Sequence, residues 1–473
     1  MTTVIIGAGA GGLAAAIALA AKGEAVTVLE AQNGAGGKLL PVHLGASQFD
    51  SGPTVLTMRW VFEDLFQRAD DNLADNLTLY PLHTLARHYW SGGQMLDLFA
   101  NADETADAIG SFAGPTEARG YKAFAKAAKR IHHSLQQPFL KSQRPTPWSL
   151  AAAMPLADVF GINPFQTYWS ALAHYFKDAR LQQLFGRYAT YCGSSPFQAP
   201  ATLMLVADVE ASGVWRVEGG MAALAQAMET CARKSGVEFV FNCSAKKIET
   251  TSSRVSAVID NQGTRYPCTS IIFNGHSTAL ADGLLGDAFK KAGAKPSPQN
   301  QSLSAFTWCA TTQESGAKLE HHTVFFSDDY KTEFAALEKG PAPDPTVYMC
   351  DQGQGRKLIL INAPAKSQIF SEEIEKNMLR RLEKSGLTMT LENVFRRSPQ
   401  DFATLYPATS GALYGRASHG WLATFQRPQA RTKIPGLYLA GGSTHPGPGV
   451  PMAALAGMRA AEALLQDRAL MRR

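Results

Sequence analysis

Two glycine-rich stretches and one acid carry the residues with the clearest chemical meaning. Near the start, Gly7, Gly9 and Gly12 form G-x-G-x-x-G, and Glu30 follows eighteen residues beyond the last glycine. Gly7 permits a tight turn, Gly9 lets a pyrophosphate approach the backbone, and Gly12 lets a helix pack closely on a strand. The free N–H groups of a helix start attract a diphosphate, and a carboxylate at Glu30 can take ribose hydroxyls. An acid here, with no nearby arginine, argues against a 2′-phosphate. Either NAD or FAD satisfies this motif. Far along the chain, Gly441, Gly442 and Ser443 end one apolar run, and Gly449, Val450 and Pro451 open another. A strand that stops at glycines before a helix start is a second anion-accepting end. Beside an isoalloxazine it would stabilise the negative charge that develops on hydride uptake.

These residues must be positioned by regular elements. Thr3–Ile6 reads as a strand, Leu13–Lys22 as a helix and Ala25–Leu29 as a second strand. A signal or membrane segment is the competing assignment for the nearly charge-free run Val4–Ala21. It is disfavoured because no basic residue precedes the run and glycines interrupt its start.

The 473 residues, 45% hydrophobic and 18% charged, are those of a globular protein with two or three packed units. A net charge of +5 permits attraction to anionic lipid but is far from a nucleic-acid-binding balance. The cysteines at 192, 231, 243, 268, 309 and 350 never form C-x-x-C, and no His pair accompanies them at zinc spacing, so we expect reduced thiols and no metal. No further run of about twenty apolar residues remains to span a bilayer, and any membrane contact is expected to be monotopic.

Arg87–Trp90, Gly92-Gly93 and Met95–Phe99 predict a hairpin, and Glu117–Gln137 predicts a helix with Lys122, Lys126, Lys129 and Arg130 on one face. That face reads either as a solvated surface or as one lying on an anionic membrane. Next comes a segment broken by Pro138, Pro145, Pro147, Pro155 and Pro164, with Phe139, Trp148, Leu150, Met154, Leu156, Val159, Phe160, Phe165, Tyr168 and Trp169 between them. It suits an interfacial anchor, or equally a helical lid with its own core. Asp178 is placed as a helix N-cap, with Arg180 in reach to pair with it. Strands are expected at 237–241, 245–248, 255–259, 264–266 and 270–274, then at 305–310, 322–326, 346–349 and 357–363, with a charged helix at 371–384 and another at about 452–466.

A second glycine pair, Gly36 and Gly37, precedes Lys38, and Phe49-Asp50-Ser51-Gly52-Pro53-Thr54 follows. This arrangement resembles the flavoproteins of the amine oxidase and carotenoid desaturase superfamily, and FDSGPT is similar to the FDAGPT of phytoene desaturases. Tyr191-Cys192-Gly193-Ser194-Ser195-Pro196 and Thr444-His445-Pro446-Gly447-Pro448-Gly449-Val450-Pro451 also resemble that family. With Gly411–Trp421 added, the likeness is strongest to bacterial 1-hydroxycarotenoid 3,4-desaturases and runs from Val4 to Leu464.

The resemblance implies an α/β architecture: a Rossmann-type FAD-binding domain (1–60, 213–290 and 426–473), a mixed α+β substrate domain (61–115 and 291–425) and a helical, membrane-associating subdomain (116–212). It implies non-covalent FAD held by Gly7, Gly9, Gly12, Glu30, Gly36, Gly37, Lys38, Gly52, Pro53, Thr54, Ala245, Lys246, Gly441, Gly442, Ser443, Gly449, Val450 and Pro451. Asp178, Arg180 and His419 are its candidate catalytic residues, Arg416 a candidate for recognising a terminal hydroxyl, and His445 a candidate flavin neighbour. The implied reaction is 3,4-desaturation of an acyclic 1-hydroxylated carotenoid by hydride transfer to flavin. Quinone or oxygen would be the acceptor, at the inner face of the cytoplasmic membrane. Phytoene desaturation, carotene isomerisation and a non-catalytic prenyl or lipid carrier are the alternatives.

Overall fold

The computed structural model describes residues 2–140, 142–153, 165–365 and 368–471. Met154, Pro155, Leu156, Val159, Phe160 and Pro164 of the aromatic-rich segment lie outside them. The chain builds its nucleotide-side sheet from four distant stretches. Five parallel strands run in the order Leu437–Leu439, Ser270–Phe273, Thr2–Ile6, Ala25–Leu29 and Glu238–Val240. Short, continuously apolar strands fit this arrangement, because a parallel sheet is covered on both faces.

The helix Ala10–Ala20 is rich in alanine and packs against the C-terminal helix Val450–Met471. The two approach so closely that a Cβ at Gly457 would lie 1.9 Å from the Gly11 carbonyl oxygen. The helix Met221–Lys234 covers the same core from the other side. An antiparallel three-stranded sheet, Ala245–Thr251, Arg254–Asp260 and Arg265–Pro267, completes this half.

The second half is a seven-stranded mixed sheet. Its order is Leu387–Arg397, Ser304–Gly316, Arg356–Ala363, Val347–Asp351, His322–Phe325, Thr84–Tyr89 and Met95–Phe99. The hairpin at 84–99 thus pairs in parallel with a strand more than 200 residues later. The 11-residue strand Leu387–Arg397 was not anticipated. Only Leu387 and Met389 are buried along this edge strand, so its apolar alternation is too short to read.

A helical layer rests on this sheet. The helix Pro115–Leu135 buries Tyr121, Phe124, Ala128 and Ile131, while Lys122, Lys126, Lys129 and Arg130 are exposed on its other side. Among the described residues no helix is long and apolar enough to cross a membrane.

Candidate functional site

Three glycine stretches meet at the C-terminal ends of the parallel strands. Gly7 has φ +100° and donates its N–H to the Leu29 carbonyl at 2.8 Å. A Cβ at Gly12 would sit 1.9 Å from the Gly7 carbonyl oxygen, so helix and strand close on each other only without a side chain there. Gly36 donates its N–H to the Ala8 carbonyl, and a Cβ at Gly37 would lie 3.1 Å from the Gly9 Cα. A Cβ at Gly52 would lie 2.0 Å from the Lys38 carbonyl oxygen. Asp50 holds that third stretch in place: its carboxylate accepts from the Met221 N–H at 2.8 and 2.9 Å, at the start of the helix Met221–Lys234. Glu30 is buried, accepting from the Ala8 N–H at 2.6 Å and the Gln32 N–H at 2.9 Å. Its charge is fixed where the first strand pair ends.

The C-terminal crossing faces the same space. Ala440 closes its strand with an N–H donated to the Phe273 carbonyl, Gly441 takes φ +92°, and Gly449, with φ +112°, immediately precedes the helix Val450–Met471. Two buried cations stand nearby. Lys38 donates its Nζ to the Leu413 carbonyl and lies 5.3 Å from the centre of the Tyr406 ring, and burial lowers its pKa to about 8. Arg427 donates to the carbonyls of Tyr414, Gly442 and Arg416, and burial lowers its pKa to about 10. Burial, reinforced by those two cations, takes His276 down to about 3, so this imidazole is neutral. Neither cation has a carboxylate partner among the described residues. Together with the helix N-terminus they make a positive end suited to an anionic group.

All these elements border one cavity of about 1450 Å³. Small-ligand pockets span roughly 300–1,000 Å³, so this one has room for a dinucleotide and a second molecule. Gly7, Gly9, Glu30, Gly36, Gly37, Lys38, Gly52, Pro53, Thr54, Ala245, Lys246, Gly441, Gly442, Ser443, Gly449, Val450 and Pro451 line it; Gly12 supports it from behind. The polar backbone of the three glycine turns, the fixed acid and the two cations fit the diphosphate, ribose and isoalloxazine parts of FAD. Away from that end the walls are apolar, with Leu135, Phe139, Leu203, Val206, Val324 and Leu360. Trp148, Phe165, Trp421 and Leu422 are exposed at its edge.

Asp178, Arg180, Arg416, His419 and His445 are not among the residues that line this cavity. Asp178 caps the helix Ala179–Gly186 through the Arg180 N–H at 2.8 Å and pairs with the Arg180 guanidinium, which holds its carboxyl below the ordinary value. Arg180 also donates to Gln94 and lies 4.1 Å from the Phe112 ring centre. Both side chains are consumed in anchoring the helical layer to the hairpin 84–99. His419 accepts from the Ser195 N–H through Nε2 at 3.1 Å, tying two loops together, and does not line the cavity. Arg416 lies outside the lining as well, its carbonyl accepting from Arg427. His445 packs edge-on against Phe139 and bonds the Ser142 carbonyl through Nε2 at 3.1 Å, a backbone-fixing position.

Arg187, Glu210 and Tyr348, which the sequence did not single out, also line the cavity, the first two from the helical layer and Tyr348 from the seven-stranded sheet; Tyr191 joins them, and Asn274 donates to the Gly7 carbonyl at 3.1 Å. No motif in the sequence includes Arg187 or Glu210. Pairing of neighbouring strands also brings His321, His322 and Cys350 within 4.8 Å, a grouping invisible in their spacing. Two of their ring nitrogens are spent on the Asp351 carbonyl and the Tyr348 hydroxyl.

The flavin-containing amine oxidoreductase family model matches residues 10–465, and the chain belongs to that family. Solved structures agree in fold: a putrescine oxidase variant aligns at TM-score 0.60 with 15% identity, covering 99% of this chain and all of that one. A cyclohexylamine oxidase from Brevibacterium oxydans aligns at TM-score 0.58 with 16% identity, covering 99% of both. Within the family the chain falls among the carotenoid desaturases, FAD-dependent oxidoreductases acting on CH–CH bonds. It is 43% identical to the hydroxyneurosporene desaturase of Rubrivivax gelatinosus, over 98% of this chain and 93% of that protein. It is 30% identical to a 1-hydroxycarotenoid 3,4-desaturase of Flavobacterium, over 96% of each.

Proposed function

We propose that the protein introduces the C3,4 double bond into acyclic 1-hydroxylated carotenoids. The observation that carries this reading is one continuous cavity whose two ends differ. One end is built from glycine turns, an acid and buried cations, and the other from aliphatic and aromatic walls. When bound at the first end, FAD supplies the acceptor for a hydride. The protein's own residues align a long apolar chain and exclude water, and the polyene itself delocalises the positive charge left on the substrate. Loss of a proton from the neighbouring carbon discharges that charge and completes the double bond.

The cavity edge fits a membrane-dissolved substrate. Trp148 is 85% exposed and Phe165 is 74% exposed. The exposed cations of the helix Pro115–Leu135 are suited to an anionic leaflet. Peripheral attachment at the inner face of the cytoplasmic membrane, with quinone or oxygen as the final acceptor, completes the proposal. Sedimentation with anionic vesicles should carry the protein down, and the double variant Trp148→Ser, Phe165→Ser should stay in the supernatant. Equal sedimentation of both would refute attachment at this edge.

The reaction is tested by supplying 1-hydroxylated neurosporene or lycopene to the flavin-loaded protein with quinone. Loss of two hydrogens and a red-shifted polyene spectrum are expected. A change without loss of mass would identify an isomerase instead, and an unaltered pigment would overturn the proposal.

A further inference from the structure

One cluster in the cavity wall is neither apolar nor part of the nucleotide end. Arg187 opens the turn Arg187–Cys192 and is 6% exposed. Its guanidinium lies 4.9 Å from the Tyr191 ring centre and 5.8 Å from that of Tyr188. Glu210, 3% exposed on the helix Leu205–Ala211, accepts from the Tyr191 hydroxyl at 2.7 Å and from the Tyr188 hydroxyl. The acid is thereby occupied by the two phenols. Arg187 makes no ion pair among the described residues, and its Nε–H has no hydrogen-bond acceptor. The Tyr191 hydroxyl and the Glu210 charge stabilise the guanidinium, but a buried Nε–H without an acceptor is costly unless something that enters the cavity supplies one.

The same cavity wall links this donor to the nucleotide end. Arg187 shares it with Tyr348, and the Arg187 charge contributes to the surroundings of Tyr348 and His322. The Tyr348 hydroxyl in turn bonds Thr54 Oγ1 at 2.6 Å and His322 Nδ1 at 2.8 Å. Thr54 follows the Gly52 turn that crosses Lys38. Arg187, Tyr191, Glu210, Tyr348 and Thr54 all line the same cavity.

We propose that Arg187, braced by Tyr191 and Glu210, forms the subsite that binds the oxygen of an oxygenated carotenoid end group. This rests on the hydroxycarotenoid reading above and assigns its specificity to a residue. A guanidinium has five donors and no acceptor, so it selects for an acceptor atom. A tertiary hydroxyl and its methyl ether both qualify. A hydrocarbon end offers nothing and leaves the buried Nε–H without an acceptor. The oxygen on C1 is only a few bonds from C3 and C4, so fixing it beside the Thr54–Tyr348 wall fixes which bond meets the redox end. Sites built around a hydrogen bond reject the analogue that lacks it far more strongly than apolar pockets reject a missing methylene.

The test compares flavin-loaded wild type, Arg187→Met, Arg187→Lys and Tyr191→Phe on three acyclic carotenoids of one chain length: 1-hydroxylated, 1-methoxylated and unsubstituted. Both kcat/KM and the dissociation constant from tryptophan quenching are read. Wild type should bind both oxygenated forms more tightly than the hydrocarbon. Arg187→Met should lose roughly ten- to a hundred-fold on the two oxygenated forms, with the hydrocarbon unchanged or improved, and Arg187→Lys should recover part of the ratio. An equal loss on all three, or an unchanged ratio, would overturn the assignment. If Arg187→Met fails to fold or to hold flavin, the ratios in Arg187→Lys and Tyr191→Phe decide in the same way. Wild type that desaturates none of the three refutes the proposed reaction. Wild type that desaturates them without preference refutes the subsite alone.

Discussion

The two ends of the cavity are made in different ways. The nucleotide end is backbone: at Gly12 and Gly52 the chain passes so near itself that a single added carbon would collide. The apolar end is side chain, with Arg187 and Tyr191 from one turn, Glu210 from the helix Leu205–Ala211 and Tyr348 from the seven-stranded sheet, meeting only in the folded state. Backbone crossings leave no slack, so a methyl group disrupts them. Side-chain walls can repack, so substitutions there should retune selectivity and pH response before they abolish the fold.

The largest effect separating the two ends is expected at Gly12. Gly12→Val places carbon against the Gly7 carbonyl, so the purified protein should lack flavin absorbance altogether; a yellow protein would break the comparison. Next is the buried acid Glu333, which accepts from Ser327 Oγ, Thr346 Oγ1 and the Thr346 N–H beneath the substrate sheet. Burial raises it from 4.5 to about 7. The folded state then holds a proton that the unfolded state releases, so stability falls as pH rises from about 4.5 to about 7, by roughly 3 kcal/mol. In Glu333→Gln the urea midpoint should stay flatter over that window, and an equal slope in both proteins would place the pH sensitivity elsewhere.

Glu30→Gln keeps the shape of the nucleotide end and removes its charge. Charged hydrogen bonds contribute about 1.5–3 kcal/mol each, so flavin should bind about ten- to a hundred-fold more weakly in a titration of apoprotein. The smallest effect is expected at Asp178. Asp178→Asn retains a capping side chain, and its partner Arg180 is part-exposed, so stability should change by no more than about 1 kcal/mol. Turnover should be unchanged. A fall of orders of magnitude would return the Asp178–Arg180 pair to the reaction.

The same contrast explains what the sequence could disclose. Gly7, Gly9, Gly12 and Glu30 are close in the chain and serve a backbone geometry, so their spacing is itself the signal. The apolar strands expected at 270–274, 305–310 and 357–363 were legible for a similar reason, though the second runs on to Gly316 where its side chains become exposed. The edge strand Leu387–Arg397 was not, because it buries too few side chains to alternate visibly. Arg187 and Glu210 look like ordinary helix residues until burial removes their solvent. Asp178 is ambiguous in the opposite direction. An acid with a nearby arginine has the composition of a catalytic pair, but the first turn of a helix uses the same two residues as a cap and its clasp. Cavity position, which the sequence does not encode locally, separates the two uses.

The account stands most directly on a single anaerobic turnover. Flavin-loaded protein mixed with one equivalent of a 1-hydroxylated acyclic carotenoid, with no acceptor present, should bleach its flavin band. The pigment should lose two hydrogens in the same proportion. A pigment that shifts or stays constant while the flavin band is untouched would contradict the central claim that the two ends of this cavity bring a hydroxycarotenoid and a hydride acceptor together.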